Sequence, residues 1–305
     1  QWKTTMSNKR ARPSETDCVD DDFGKADSDL EDYDSDDSDG IIEDEDLIKE
    51  EGEDEEIQIE FELFDPKEKD FHALKIQLEG ITAGKQFPIG DLADYCIRRW
   101  WVGSSIKITG NEDDIFGFST VINLHLTDEP AVAALGPLFV SLSPDSEKET
   151  VQNLLDNRNE PFALFVNERY ESIPVPLISA AHSQIAQEIS LALEEEKEMN
   201  KPQPYEYELK QFIMISPVCF ETAKQPKKKG RQVKRAKGEE TMTFIRPEEE
   251  IINKYATKSF EVNVPRTKMM TFDGTGQISR VITLITSENL AIALNEVASL
   301  VSSMR

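Results

Sequence analysis

Charge in this chain is segregated, and the segregation limits where a core can form. Residues 1–56 carry 23 Asp/Glu against 6 Lys/Arg, a net −17, whereas 57–305 carry 37 against 28, a net −9. From Ser14 to Glu56 apolar residues such as Phe23, Leu30, Tyr33, Ile41, Ile42 and Leu47 are scattered among Asp, Glu, Ser and Gly, too thinly to build a core. Residues 1–56 therefore read as a disordered acidic tail, and folding falls to 57–305, the length of one large domain. Serines in the tail, Ser28 before Asp29-Leu30-Glu31 most clearly, have the surroundings an acidophilic kinase uses, which would deepen the charge.

The overall charge of −26 disfavours phosphate backbones and anionic lipid, so no direct nucleic-acid or membrane partner is expected, and a basic protein is the natural one. Cys18, Cys96 and Cys219 are widely spaced, without CxxC or paired Cys/His ligand spacing, which points to a reducing compartment and to no metal. The longest apolar stretch, Ala131 to Val140, is broken by Gly136-Pro137 and is far short of the roughly 20 residues of a membrane helix. The chain reads as a soluble, intracellular monomer. Met6-Ser7-Asn8-Lys9-Arg10 resembles a native start, and Gln1 to Thr5 read as a leader outside the fold.

Order begins at Ile57, where Ile57, Ile59, Phe61 and Leu63 alternate with polar residues in the period of a half-buried strand. Phe71, Leu74, Leu78 and Ile81 recur at three and four residues, predicting a helix capped by Asp70. Pro88 opens a second helix. Ser104–Thr109 and Ile115–Leu126 read as a hairpin around a polar connection. A helix over 129–142, weakened or kinked at Gly136-Pro137, and a shorter one over 147–155 lead to a buried strand over 162–166. A long helix starts after Pro174 or Pro176 and ends before Pro202. Strands are predicted over 205–216, 241–245, 258–264 and 278–286, a helix over 248–255, and a closing helix capped by Ser287. Residues 222–240 form a basic loop without core residues. The interleaving predicts an α/β (α+β) fold, a single mixed-sheet domain flanked by helices.

Four stretches together resemble the BCCIP family. They are Ile59-Glu-Phe-Glu-Leu-Phe-Asp-Pro66 running into Asp70-Phe-His-Ala-Leu-Lys75; Val102-Gly-Ser-Ser-Ile-Lys107 with Asp114 and Phe116 to Leu124; Phe165-Val-Asn-Glu-Arg169 with Ile173-Pro174; and Phe212-Ile-Met-Ile-Ser216. The weaker Glu249-Glu250 to Ala256 with Ser259-Phe260 also fits, whereas the matching is poor at Gly136-Pro137 and after Val264. The resemblance implies a nuclear protein able to shuttle to the cytoplasm, with a GNAT-like domain and no known transferase activity. It further implies a dedicated chaperone that escorts a large-subunit ribosomal protein, engages import and export receptors, and in animals also binds a recombination mediator and a kinase inhibitor.

An acetyltransferase of that fold would cradle pyrophosphate with a Gln/Arg-x-x-Gly-x-Gly/Ala loop before a helix. The nearest glycine pair, Gly274 and Gly276, has Thr271 at the basic position and precedes a strand, so it reads as a turn. His72, His125 and His182 are distant in sequence and read as structural. Gly-x-Ser-x-Gly, His-Glu-x-x-His and the P-loop motif are missing, so no catalytic residue, cofactor or metal is assigned. Partner binding is assigned instead to the tail carboxylates Asp44, Glu45, Asp46, Glu53, Asp54, Glu55 and Glu56, which can screen a basic client and speed its encounter. Trp100 and Trp101 join them, since adjacent residues cannot both face one buried stripe and a Trp at the surface anchors an interface. Nuclear import is assigned to Lys9, Arg10 and Arg12 and to Lys227, Lys228, Lys229, Arg231, Lys234 and Arg235. The alternatives are a general acidic histone chaperone, a cell-cycle or DNA-repair adaptor, and a cryptic acyltransferase.

Overall fold

The computed structural model describes residues 60–222, 240–271 and 274–303. Strand β1 (Phe61–Phe64) is followed by helices α1 (Phe71–Leu78) and α2 (Ile89–Arg98), then by the antiparallel pair β2 (Gly103–Ile108) and β3 (Gly117–Asn123). Helices α3 (Pro130–Leu142) and α4 (Lys148–Asp156) lead to β4 (Phe162–Arg169) and the 24-residue α5 (Val175–Glu198). The second half holds β5 (Gln211–Thr222), β6 (Glu240–Phe244), α6 (Pro247–Lys254), β7 (Lys258–Glu261), β8 (Thr267–Thr271), β9 (Gly274–Thr286) and α7 (Ser287–Ser303).

One mixed sheet runs in the order β1-β2-β3-β4-β5-β9-β7, with β6 added to β5 and β8 to β9. Both its faces are covered, which explains the unbroken apolar runs Phe-Ala-Leu-Phe-Val in β4 and Phe-Ile-Met-Ile in β5. Alternate residues serve opposite cores. Phe162, Leu164, Val166, Ile213 and Ile215 join α1 to α4 in one. Ala163, Phe165, Phe212 and Met214 join α5, α6 and α7 in the other.

The β4–β5 pair is parallel and short: only Phe162–Leu164 face Gln211–Ile213. On that same edge of β5, β6 takes over at Val218–Thr222, while β9 runs along the opposite edge. A gap therefore opens beside the last residues of β4, and charged side chains fill it. Arg246, just before α6, donates to the Asn167 carbonyl on this edge, where the parallel ladder has ended. The same guanidinium pairs with Glu168 and, at 3.1 Å, with Glu249. Arg169 grips Glu248 through Nε and Nη2 at 2.9 and 3.0 Å. Burial raises the Glu249 carboxyl to about 7. Burial also works to raise Glu248, but the bidentate Arg169 outweighs it and holds that carboxyl low.

Several sequence expectations change in three dimensions. Asp70 begins α1 but makes no side-chain cap; its carboxylate accepts the Lys67 amide at 2.8 Å and the buried Lys107 ammonium at 2.6 Å. Helix α3 runs unbroken through Pro137, with Gly136 leaving room for the Leu155 side chain. The strand expected from Tyr205 starts at Gln211, because Glu196 accepts the Tyr207 amide and diverts this backbone from a ladder. Thr286 caps α7 by accepting the Asn289 amide at 3.2 Å, and Ser287 is already helical. Gly274 and Gly276 lie within β9, in a hairpin with the unpredicted β8, so the region holds more than the expected turn.

A candidate protein-binding face on helices α5 and α7

The stripe on α5 (Ile185, Ile189, Leu193) and that on α7 (Leu290, Leu294) pack into the same core, so the two helices lie side by side over the sheet. Their carboxylates have two uses. Glu188 accepts the Gly103 amide at 2.9 Å and Glu196 the Tyr207 amide at 3.2 Å, fixing both loops to α5. Glu194, Glu198 and Glu288 stay exposed. Together the helices carry seven carboxylates against one lysine, so this face repels anions and attracts basic surfaces.

Apolar side chains also reach solvent here. Leu191 is 65% and Ile292 51% exposed, and with Met199 and Leu300 they make up four of the seven well-exposed large apolar side chains among the described residues. All four lie on, or at the end of, the two helices of this layer, which makes the layer the candidate interaction surface.

Between the helices a cavity of about 180 Å³ descends to the sheet. Its floor is Val121, Phe165 and Phe212, and the exposed Ala186 and Ala291 leave space at its mouth. His182, 2% exposed, lines it with its ring 5.3 Å from that of Phe165. The amide nitrogen of Asn167 donates to Glu249 at 2.9 Å, so its oxygen faces His182 Nε2 at 3.1 Å and accepts a hydrogen bond from the ring N–H. Nδ1 of this neutral ring is then a bare acceptor, buried and without a partner. Burial lowers the His182 pKa to about 4.

That shift has a sign that can be tested. Above pH 6.5 His182 is neutral folded or unfolded; between 6.5 and about 4 only the unfolded chain takes the proton, so stability falls as pH falls. The loss reaches roughly 2 kcal/mol at pH 5. Glu249 titrates in the opposite sense, so the measurement is a comparison: urea unfolding of wild type and His182→Phe at pH 7 and 5, where the wild type's advantage is expected to shrink by about that amount. An unchanged difference would mean that His182 takes up protons in the folded state.

The Trp pair borders this face. Trp101 donates its indole N–H to the Tyr207 hydroxyl at 3.0 Å, and Tyr207 in turn lines the cavity. Arg99 stacks over Trp101 and pairs with Glu206 at 2.6 Å, while Trp100 meets Trp101 edge to face at 6.4 Å. Both indoles are partly buried, so neither is the fully exposed anchor that adjacency alone allows.

The family model for BCCIP matches residues 56–252. The chain belongs to the BCCIP family. Similar BCCIP proteins include bcp1 of Schizosaccharomyces pombe, 31% identical over 207 residues, 64% of this chain and 70% of that protein. The Arabidopsis thaliana BCCIP homolog is 27% identical, covering 70% of this chain and 65% of its own length. The Bos taurus relative, named BRCA2 and CDKN1A-interacting protein, is 26% identical, covering 69% and 70%. The crystal structure of BCP1 from Saccharomyces cerevisiae superposes with a TM-score of 0.54 at 17% identity, over 85% of this chain and 97% of that one, and so shares the fold.

The tail acids Asp44, Glu45, Asp46, Glu53, Asp54, Glu55 and Glu56 lie outside the described residues. So do both basic clusters, Lys9 to Arg12 and Lys227 to Arg235. The second cluster falls in sequence between Thr222 and Glu240, the end pair of the β5–β6 ladder. Among the described residues no three His, Cys, Asp or Glu are arranged to hold a metal ion. Sequence reasoning missed the α5–α7 face, yet a signal existed: Leu191 and Ile292 are apolar residues lying off their helices' buried stripes.

Proposed function

We propose that this BCCIP-family protein is a non-enzymatic escort of a basic large-subunit ribosomal protein, acting in the nucleus and during nuclear transport. The observation that carries the reading is the α5–α7 face, where exposed apolar side chains and a cavity occur on two helices that carry more carboxylates than cations. A basic client with an apolar contact point fits both features. The name of the bovine relative supports partner binding as the mode of action. The gap beside β4 also supports the reading over acyl transfer, since this chain's own ion pairs occupy it and no glycine loop precedes α5, α6 or α7.

Co-expression of the full chain with basic large-subunit ribosomal proteins, or with histones, tests it. One ribosomal protein is expected to co-elute stoichiometrically in about 0.3 M salt, where exposed charge attraction is largely screened. The double variant Leu191→Glu/Ile292→Glu, altered only at exposed positions, is expected to lose that complex by at least tenfold in affinity. Equal recovery of histones, or full binding by the double variant, would overturn the assignment.

A further inference from the structure

We infer that the cavity walled by the segment joining α1 to α2 and by Arg280 of β9 is a binding site for a small organic phosphate. The inference is independent of the escort reading and of the α5–α7 face.

This cavity, of about 740 Å³, is lined by Lys75 of α1, Lys85 of the turn before α2 and Arg280, against one carboxylate, Glu79. Acids outnumber bases in the chain by 60 to 34, yet none of these three cations forms an ion pair among the described residues. Arg280 is the anchor. Its Nε donates to the Gly80 carbonyl at 2.6 Å, and Gly80 is itself part of the cavity wall, so the guanidinium stands at that wall. The N–H groups on its terminal nitrogens have no hydrogen-bond partner among the described residues, and these nitrogens are not sealed from solvent. Glu168 and Glu249 attract Arg280 at longer range, but both are hydrogen-bonded to Arg246, which repels it. Burial works against the charge of this guanidinium, and an anion in the cavity would offset that cost.

The turn that presents Lys85 is built at some expense. Ala83 (φ 48°) and Gly84 (φ 78°) both lie in the left-handed region, which a side chain disfavours at Ala83. Thr82 holds the turn: its hydroxyl donates to the Glu79 carbonyl at 2.9 Å and accepts the Gly84 amide at 3.3 Å, and its carbonyl accepts the Lys85 amide at 3.0 Å. The backbone of Lys85 is thereby fixed beside the cavity.

Charge and volume together select the ligand. Three cations less one carboxylate leave the lining at +2, which matches the charge near −2 of a phosphate monoester at neutral pH. A lone carboxylate would neutralise only half of it, and the guanidinium N–H fork suits the oxygens of a phosphate. Bare phosphate would leave most of the space empty, because the volume lies within the roughly 300–1,000 Å³ of ordinary small-molecule sites. Phe87 and Pro88 line the cavity and offer an apolar wall to the carbon part of the ligand. The net charge of −26 opposes long polyanions and anionic membranes, but a small dianion within the cavity is governed by the cations in contact with it.

The test uses the full chain and methyl NMR at Ile89, a buried residue of the cavity wall, in about 0.15 M salt. Naphthyl phosphate is the probe. Naphthol and inorganic phosphate stand for its two halves, and a capped Gly-Gly-phosphoserine-Gly-Gly peptide for a phosphate presented by a protein. Naphthyl phosphate is expected to shift the Ile89 methyls saturably and to bind at least tenfold tighter than either half. The double variant Lys75→Glu/Lys85→Glu, altered only at exposed positions, is expected to weaken that binding at least tenfold and to leave naphthol unaffected. Arg280→Met is expected to do the same, and if that variant fails to fold the lysine variant decides alone. No saturable shift with naphthyl phosphate, or undiminished binding by the lysine variant, would overturn the site. A phosphopeptide that binds as tightly as naphthyl phosphate would overturn the small-molecule assignment in favour of a phosphorylated partner.

Discussion

Replacing Arg246 with methionine is expected to lower the free energy of unfolding by about 3–5 kcal/mol, a large share of the roughly 5–15 kcal/mol available to a natural domain. Arg246 is 6% exposed and serves two carboxylates, Glu168 and Glu249, as well as the Asn167 carbonyl on the edge of β4. Without it those groups stay buried and lose the cation they are hydrogen-bonded to, keeping only the longer-range attraction of Arg280 to offset their lost hydration. The loss should grow with pH. An acid whose folded pKa is raised keeps its proton above 4.5 while the unfolded chain gives it up, so stability declines as pH rises toward the folded value. Glu249 already stands near 7 with Arg246 present, and removing the cation extends that window upward. Urea unfolding at pH 6 and pH 8 checks both statements. A loss below about 1 kcal/mol at both values would show that water reaches the gap and that the network contributes little.

Lys107→Met is expected to be of similar size, about 3–5 kcal/mol, for the same reason at a second buried pair. Lys107 is 0% exposed, an unusual state for lysine, and its ammonium lies 2.6 Å from Asp70 and 3.0 Å from the Glu112 carbonyl. Methionine fits the stem of the side chain but leaves a buried carboxylate. Adding Asp70→Asn to the variant removes that charge and keeps an oxygen for the Lys67 amide. The double variant is therefore expected to recover most of the loss, whereas Asp70→Asn alone strands the ammonium. Additive losses in a double-mutant cycle would show that the two side chains do not act as a pair.

These two pairs also show where a one-dimensional reading stops. Asp70 precedes an apolar periodic run, which is the signature of an N-cap, and nothing local distinguishes a cap from a counter-ion whose lysine lies 37 residues away. Arg246 meets Glu168 across 78 residues, because β5 leaves β4 after three residue pairs and β6 then carries the chain back to the gap. The tryptophan pair is a similar case. Adjacency required that the two differ in environment, but the role of Trp101 is set by Tyr207, 106 residues on.

What the sequence determined by itself was whatever depends on near neighbours. Charge segregation, period-two and period-3.6 apolar patterns, and unbroken runs such as that in β4 report burial of residues within a few positions of each other. From these came the helices, most strands, the mixed-sheet class and the resemblance to the BCCIP family. Tertiary structure decided the sheet order, the gap beside β4, the pairing of buried charges, and the meeting of α5 and α7 around His182. Each depends on residues brought together from distant parts of the chain. The energy that fixes them, the desolvation of buried polar groups balanced by their partners, has no counterpart in local spacing.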